Sequence, residues 1–444
     1  LRKFVAVVIG TLFVLGLAAT AFAIHAEIPA ETQAVVAKGQ TQIHLGGSVR
    51  TRGEIRETDF DSDTTTAADY DQRVRLSVDA KVTDNVEGFI MLETGNDLDA
   101  DVYKWGTPTP GGSKGIYSAA NGGGGNVKGS FVNLLQGWIQ YTPGVVGIKI
   151  GHMPLALGNN LFFNHTKFGD DAIIVFATPT PEIHLAALAI KFEEGGSGTC
   201  CGNSSDQDGY VALAVYKGEG FNLSGDVTWV NINPGSTFAL ADADVINIGV
   251  RGDVMVGPAK LYGDVEFQTG KLIEDTPAEL DVKGYAFQVG ASADIDSVNL
   301  GVEFGLGSGD DDPADGDFGL YITSLGAHRN VPNAFVYGYR VFSSVGATHT
   351  GISNTTYVRA TAGTALTDAI SADAQVYWLQ ATEKVGGEDE IGWEIDGRIK
   401  YKVARNLLYW VEGGYLIAGD MYSQGFGTAD DDVYAVRHGL ELTF

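Results

Sequence analysis

The sequence predicts an all-β fold: one antiparallel β-barrel that closes on itself and spans a membrane with about eighteen strands, sixteen being the alternative. Three observations predict it. Apolar and polar residues alternate with period two along most of the chain, the pattern of strands with two different faces. Short turn-forming links alternate with long polar ones, as short turns and long outer loops do in such barrels. The first residues read as an export signal.

Composition narrows the function. Acidic residues outnumber basic ones by 56 to 29, for a formal charge of −27. Nucleic acid is therefore not an expected partner, because phosphate binding needs clustered Lys and Arg. Hydrophobic residues make up 44% and aromatics 10%, which argues against disorder. Two Cys cannot build a disulfide framework.

Taken in order, the first element is a leader. Arg2 and Lys3 precede an apolar run over 4–19, and Ala21-Phe22-Ala23 follows. A basic start, an apolar core and a small-x-small site describe a signal peptide over 1–23. A membrane anchor is the alternative, but a helical span needs about 20 apolar residues. Residues 24–41 then form an N-terminal periplasmic segment, in which Ala34, Val35, Val36 and Ala37 are expected to make a helical turn or two. Residues 42–444 form the barrel.

Within it, strands are expected at 43–56, 70–82, 86–95, 130–141, 145–151, 172–178, 183–192, 210–217, 221–231, 244–256, 260–269, 283–294, 298–307, 353–365, 369–382, 391–403, 406–418 and 432–444. Those at 145–151 and 172–178 are the weakest. Tight links such as Thr83-Asp84-Asn85, Gly257-Pro258-Ala259 and Arg405-Asn406 join antiparallel neighbours. An apolar row (Ile43, Leu45, Val49, Ile55) opposes a charged one (Arg50, Arg52, Glu54, Arg56), and the same holds for Leu261, Val265 and Phe267 against Asp264, Glu266 and Gln268. Lipid cannot satisfy polar groups, so the apolar rows face lipid and the charged rows face a water-filled bore.

Closure makes the last and first strands neighbours. Arg437 then lies near Arg50, Arg52 and Arg56, with Arg73 and Arg75 one strand further and Arg398, Lys400 and Lys402 two strands to the other side. This is a basic ladder on one sector of the wall. It has two readings: a field across the pore that tunes ion selectivity, or wall braces paired with acids such as Glu54, Asp79, Glu394, Asp396 and Glu441. Acidic clusters (Asp59, Asp61, Asp63; Asp310, Asp311, Asp312, Asp315, Asp317; Glu388, Asp389, Glu390; Asp430, Asp431, Asp432) fall in the long links and would ring the outer mouth.

No Cys-x-x-Cys-His, Walker loop, His-Glu-x-x-His or Gly-x-Ser-x-Gly occurs, so neither a cofactor, a bound metal nor catalysis is expected. Cys200-Cys201 is either a vicinal disulfide or two loop thiols.

The last segment places Tyr434, Val436, Leu440, Leu442 and Phe444 on one face. This resembles the C-terminal assembly signal of Gram-negative outer-membrane barrels. Gln136-Gly137-Trp138-Ile139-Gln140-Tyr141, a tight turn and Ile148-Lys149-Ile150-Gly151-His152 resemble the fourth and fifth strands of porins. The chain thus resembles the Gram-negative porin superfamily, and more narrowly the OmpJ-type porins of metal-reducing bacteria. The resemblance implies an integral outer-membrane protein that passes small hydrophilic solutes and ions. It implies contact with lipid and lipopolysaccharide, insertion by the barrel-assembly machinery, and a homotrimer. It also implies that the link after the fifth strand, carrying His152, Asn159, Asn160, Asn164, His165, Lys167, Asp170 and Asp171, is the constriction loop. The usual Pro-Glu-Phe-Gly-Gly run is missing there. However, the strands near 183–192 and 210–217 are apolar or small on both faces, as expected of a wall covered by a packed loop. Two other functions remain open: a sleeve for an outer-membrane cytochrome, and a surface adhesin.

Overall fold

The computed structural model describes residues 34–38, 41–57, 60, 66–95, 103–104, 108–109, 113–114, 131–166, 169–193, 206–232, 243–273, 279–323, 334–337, 351–422 and 431–444. The leader, Asp59, Asp61, Asp63, Lys167, Cys200, Cys201 and Asp430 lie outside the described residues.

The wall is a closed antiparallel barrel of 18 strands. The first six are β1 (Thr41–Arg56), β2 (Ala67–Thr83), β3 (Val86–Gly95), β4 (Phe131–Tyr141), β5 (Val146–Met153) and β6 (Asp170–Thr180). The next six are β7 (Ile183–Glu193), β8 (Gln207–Gly218), β9 (Phe221–Ile232), β10 (Ala243–Val256), β11 (Ala259–Leu272) and β12 (Tyr285–Ile295). The last six are β13 (Val298–Gly307), β14 (Thr355–Ala365), β15 (Ile370–Val385), β16 (Glu388–Ala404), β17 (Leu407–Ala418) and β18 (Val433–Thr443). Each strand pairs with its successor, and β18 pairs with β1 through Arg50↔Glu441 and Glu54↔Arg437. Closure leaves no unpaired strand edge for lipid to meet. The two weakest expected strands are present as β5 and β6.

The faces divide as the alternation requires. Leu76, Val265 and Phe267 are 46%, 40% and 59% exposed on the outside, while Asp264 and Glu266 are 0% and 1% exposed inside. Inside the bore, side chains pack on one another; outside, nothing among the described residues covers the aliphatic rows, which is the arrangement a lipid-facing surface needs.

Two local expectations fail. Residues 34–38 are a short strand, Ala34–Lys38, rather than helical turns. The reason is a vacant edge. Pairing between β18 and β1 begins at Ser48, so the first residues of β1 lack a partner on that side, and Ala34–Lys38 fills it through Ala34↔Leu45 to Lys38↔Thr41. Glu388, Asp389 and Glu390 lie in β16, not in a long link. Gly386 and Gly387 both take positive φ (62° and 100°), which lets a two-residue turn join β15 to β16 on the long-loop side.

The apolar core sits inside the barrel. Leu155, Leu157, Leu161, Phe162 and Phe163 from the link after β5 pack on inward residues Ile190, Val211, Val230 and Val245 of β7 to β10. The small and aliphatic inner faces of β7 and β8 are thus the seat of this loop.

Candidate functional site

The link between β5 and β6 turns into the bore because most of its side chains are apolar and the wall beneath offers apolar seats. It is a hairpin-like loop closed by Leu157 N–H to Phe163 O (3.0 Å), His165 N–H to Leu155 O (2.8 Å) and a bridge between Ala156 and Asn164. Its tip is Gly158-Asn159-Asn160, where Gly158 and Asn160 adopt φ of 55° and 67°. A Cβ at Gly158 would stand 2.1 Å from Arg251 Nε, so only glycine lets the backbone lie on that guanidinium. The Asn159 N–H donates to Asp264 Oδ2 at 3.0 Å. The loop therefore reaches β10 and β11, well away from its root between β5 and β6.

The seat of the tip is a charge cluster. Arg251 (β10) pairs with Glu266 (2.7 Å), Asp264 (3.3 Å) and Asp226, all nearly fully buried. Asn247 and Thr228 donate to Glu266 and Asp226. Buried carboxylates need such donors, because leaving one unpaired costs several kcal/mol. On the long-loop side, Thr323 Oγ donates to Leu161 O (2.6 Å), and Gln268 clamps Ile322 through both its amide atoms (2.6 and 2.8 Å). Burial pushes the Tyr321 hydroxyl up and the Tyr337 hydroxyl to about 12.

A second segment enters the bore. The N–H groups of Val336 and Tyr337 donate to the two carboxylate oxygens of Glu394 (2.7 Å each), and the Phe335 N–H donates to Asp396 Oδ2 (3.3 Å). The Phe335 ring stands 4.8 Å from the guanidinium of Arg437. Below the loop tip, on the short-turn side, a cavity of about 690 Å³ is lined by Gly158, Asn159, Lys260, Tyr262, Glu303 and Arg359.

The opposite sector is the basic ladder. Its arginines face the bore and share carboxylates with their neighbours: Arg52 with Asp71 (2.6 Å), Arg50 with Asp71 (3.5 Å), Arg73 with Glu441 (3.4 Å), Arg75 with Glu93, and Arg56 with Glu54 (2.8 Å). Arg398 meets Asp373 (3.1 Å) and Glu412 (3.7 Å), and Arg437 meets Glu412. Lys400 continues the inward row beside Arg398, and Lys402 is exposed near the short-turn end.

The loop residues singled out by sequence divide into three groups. Asn159 and Asn160 form the tip. His165 and Asp170 pair at the root (2.9 Å), both buried, and the Asn164 carbonyl accepts from Thr166. His152 and Asp171 pair with each other (2.9 Å) at the outward rim, not across the bore from the ladder. Among the described residues, the carboxylates that turn inward on the sector facing the ladder include Asp226, Asp253, Asp264, Glu266 and Glu303. Glu394 and Asp396 stand on β16, the strand of Arg398, and hold the second inward segment. Sequence reasoning passed over Arg251. Its signal was visible: Asp226, Asp264 and Glu266 occupy inward positions on the two strands flanking it. Among the described residues, no group of three or more His, Cys, Asp or Glu could hold a metal ion.

The sequence matches the model of the Gram-negative porin family over residues 14–338. The chain belongs to that family. The porin is similar in fold to Pseudomonas aeruginosa OccK8 (OprE), with TM-score 0.57 and 13% identity over 90% of this chain and 98% of that one. It is similarly related to P. aeruginosa OpdK with vanillate (TM-score 0.57, 11% identity) and OccK2 (OpdF) in complex with glucuronate (TM-score 0.58, 10% identity), over the same shares of both chains. No curated protein matches the sequence. The porin is an integral outer-membrane channel for small solutes, not an enzyme. The family match does not favour a cytochrome sleeve or an adhesin.

Proposed function

We propose that the porin passes small organic carboxylates along the basic ladder, with the loop after β5 as the constriction. One observation carries this reading. The β5–β6 loop seats on β7 to β11, away from the ladder, whose guanidinium groups are held part-exposed on the bore face by the carboxylates they share. Bracing and conduction are then one device: a positioned arginine offers its remaining N–H groups to a passing anion without first losing side-chain freedom. The ligands in the two related structures, vanillate and glucuronate, both carry a carboxylate, which agrees with this chemistry.

Val436, Leu440, Leu442 and Phe444 are exposed on the outer face of β18, in the position from which the barrel-assembly machinery would read them. The acidic residues Asp310, Asp311, Asp312 and Asp315 stand at the long-loop mouth and would concentrate cations or bridge divalent ions to lipopolysaccharide.

The test is flux into proteoliposomes of glucuronate against an uncharged sugar of similar size. Glucuronate is expected to enter faster, and Arg50→Gln with Arg52→Gln and Arg75→Gln is expected to abolish that preference. Equal entry of both solutes through the unaltered porin would end the proposal.

A further inference from the structure

The inward face of β5 is nearly bare. Val146 and Ile150 are exposed on the outside, so the bore side carries Gly147, Lys149 and Gly151. Aromatic rings from the neighbouring strands gather around the lysine. Its ammonium stands 3.6 Å from the centre of the Trp138 ring of β4, and Phe89 of β3 stacks on that indole with centroids 5.4 Å apart and planes at 19°. From β6, Phe176 leans over Gly147, where a Cβ would stand 2.3 Å from its ring. Phe89, Trp138, Lys149 and Phe176 are half-buried at inward positions, so the surface they keep open faces the bore.

The charge of this lysine is unspent. The ladder arginines share carboxylates with their neighbours, and Arg251 holds three. Lys149 pairs with no carboxylate among the described residues. The acid of its row, Glu87, stands two strands away beyond Gln140. On the other side the row continues with Ile174 and Leu188, so no acid approaches from there. A cation–π contact holds the ammonium in place but uses none of its N–H donors. Aromatic faces kept partly wet beside unspent donors suit a ligand that has an apolar face and an anionic end.

We propose that this band on β3 to β6 is a binding station for aromatic carboxylates within the bore. The carboxylate takes the N–H donors of Lys149 in charge-assisted hydrogen bonds, and the ring lies against Phe176. Trp138, backed by Phe89, fixes the ammonium that receives the anion. The guanidinium groups of the ladder read a carboxylate whatever it is attached to. The station reads the flat ring attached to it. The inference thus rests on the ladder as a carboxylate path and names the class of carboxylate that the bore retains longest.

The test is block of ion conductance in planar bilayers by benzoate and by cyclohexanecarboxylate, acids of similar size that differ in the flatness of the ring. Benzoate is expected to half-block the porin at a concentration about fivefold lower, the effect of one aromatic stacking contact. Phe176→Leu is expected to bring the two acids together, and Lys149→Gln to weaken block by both about tenfold. Heat-modifiable migration shows that each variant folds. A lysine that only braces the wall would leave the half-block concentrations of a folded Lys149→Gln barrel where they were. That result, or equal block by the two acids in the unaltered porin, would overturn the proposal. The preference for glucuronate over an uncharged sugar, measured on the same preparations, separates the two readings. Preference present without a benzoate advantage sinks the station alone, and a benzoate advantage without the preference sinks the ladder alone.

Discussion

Two sectors of one wall obey the same alternation and do opposite things with it. On β7 to β10 the inward residues at the long-loop end are Ile190, Val211, Val230 and Val245, and they are buried under Leu157, Phe162 and Phe163. On β16 to β2 and across the seam the inward residues are Arg398, Arg437, Arg52, Arg50 and Arg73, and they face the bore. The strands are alike, so the difference lies in what covers them. Under the apolar body of the β5–β6 loop the wall carries aliphatic residues. Under the loop tip and under residues 335–337 it carries buried charge instead, in the Arg251 cluster and in Glu394 and Asp396. The arginines of β1 and β2 stay part-exposed on the bore face.

The comparison can be broken first at the seat of the loop tip. Arg251→Met would leave Asp226, Asp264 and Glu266 buried without their shared cation, at a cost of about 3–5 kcal/mol. Urea unfolding in detergent micelles measures it, and single-channel conductance is expected to rise as the tip leaves its seat. An unchanged midpoint and conductance would mean that the cluster does not hold the loop. Next in size, Phe163→Ala removes a ring from the packed half and should destabilise the barrel by about 3 kcal/mol. The same measurement checks it, and the ion selectivity proposed for the ladder should not move.

Substitutions in the ionic half should show the reverse. Arg398→Gln leaves Asp373 and Glu412 with fewer partners in a wetter setting, so a stability loss of only about 1 kcal/mol is expected, with a clear shift of selectivity toward cations. A loss as large as that of Arg251→Met would show that the ladder braces the wall rather than serving the bore. Smallest of all, Gly387→Ala strains a turn at φ 100° and should cost about 1 kcal/mol or less, with no change in conductance.

The same contrast explains what the sequence could reveal. Alternation is a local signal, so the eighteen strands, their inward charges and even the weakly patterned β5 and β6 were legible. The packed half was legible only indirectly, as missing polarity on the inner faces of β7 and β8. The grip on Glu394 was not legible, because its donors are backbone N–H groups of Val336 and Tyr337, which no side-chain pattern encodes. The Arg251 cluster was written in the inward rows of three adjacent strands, but it emerges only once their register is known. The two-residue turn at Gly386-Gly387 was masked by the acidic run after it, which reads as a loop although it continues a strand.

The most direct test of the account is single-channel recording in planar bilayers under a salt gradient, comparing the porin with a form carrying Arg50→Gln, Arg52→Gln and Arg75→Gln. The account predicts stepwise ohmic conductance, and a reversal potential that moves toward cations in the substituted form. A folded barrel that gives no steps, or a reversal potential indifferent to the three arginines, would contradict it.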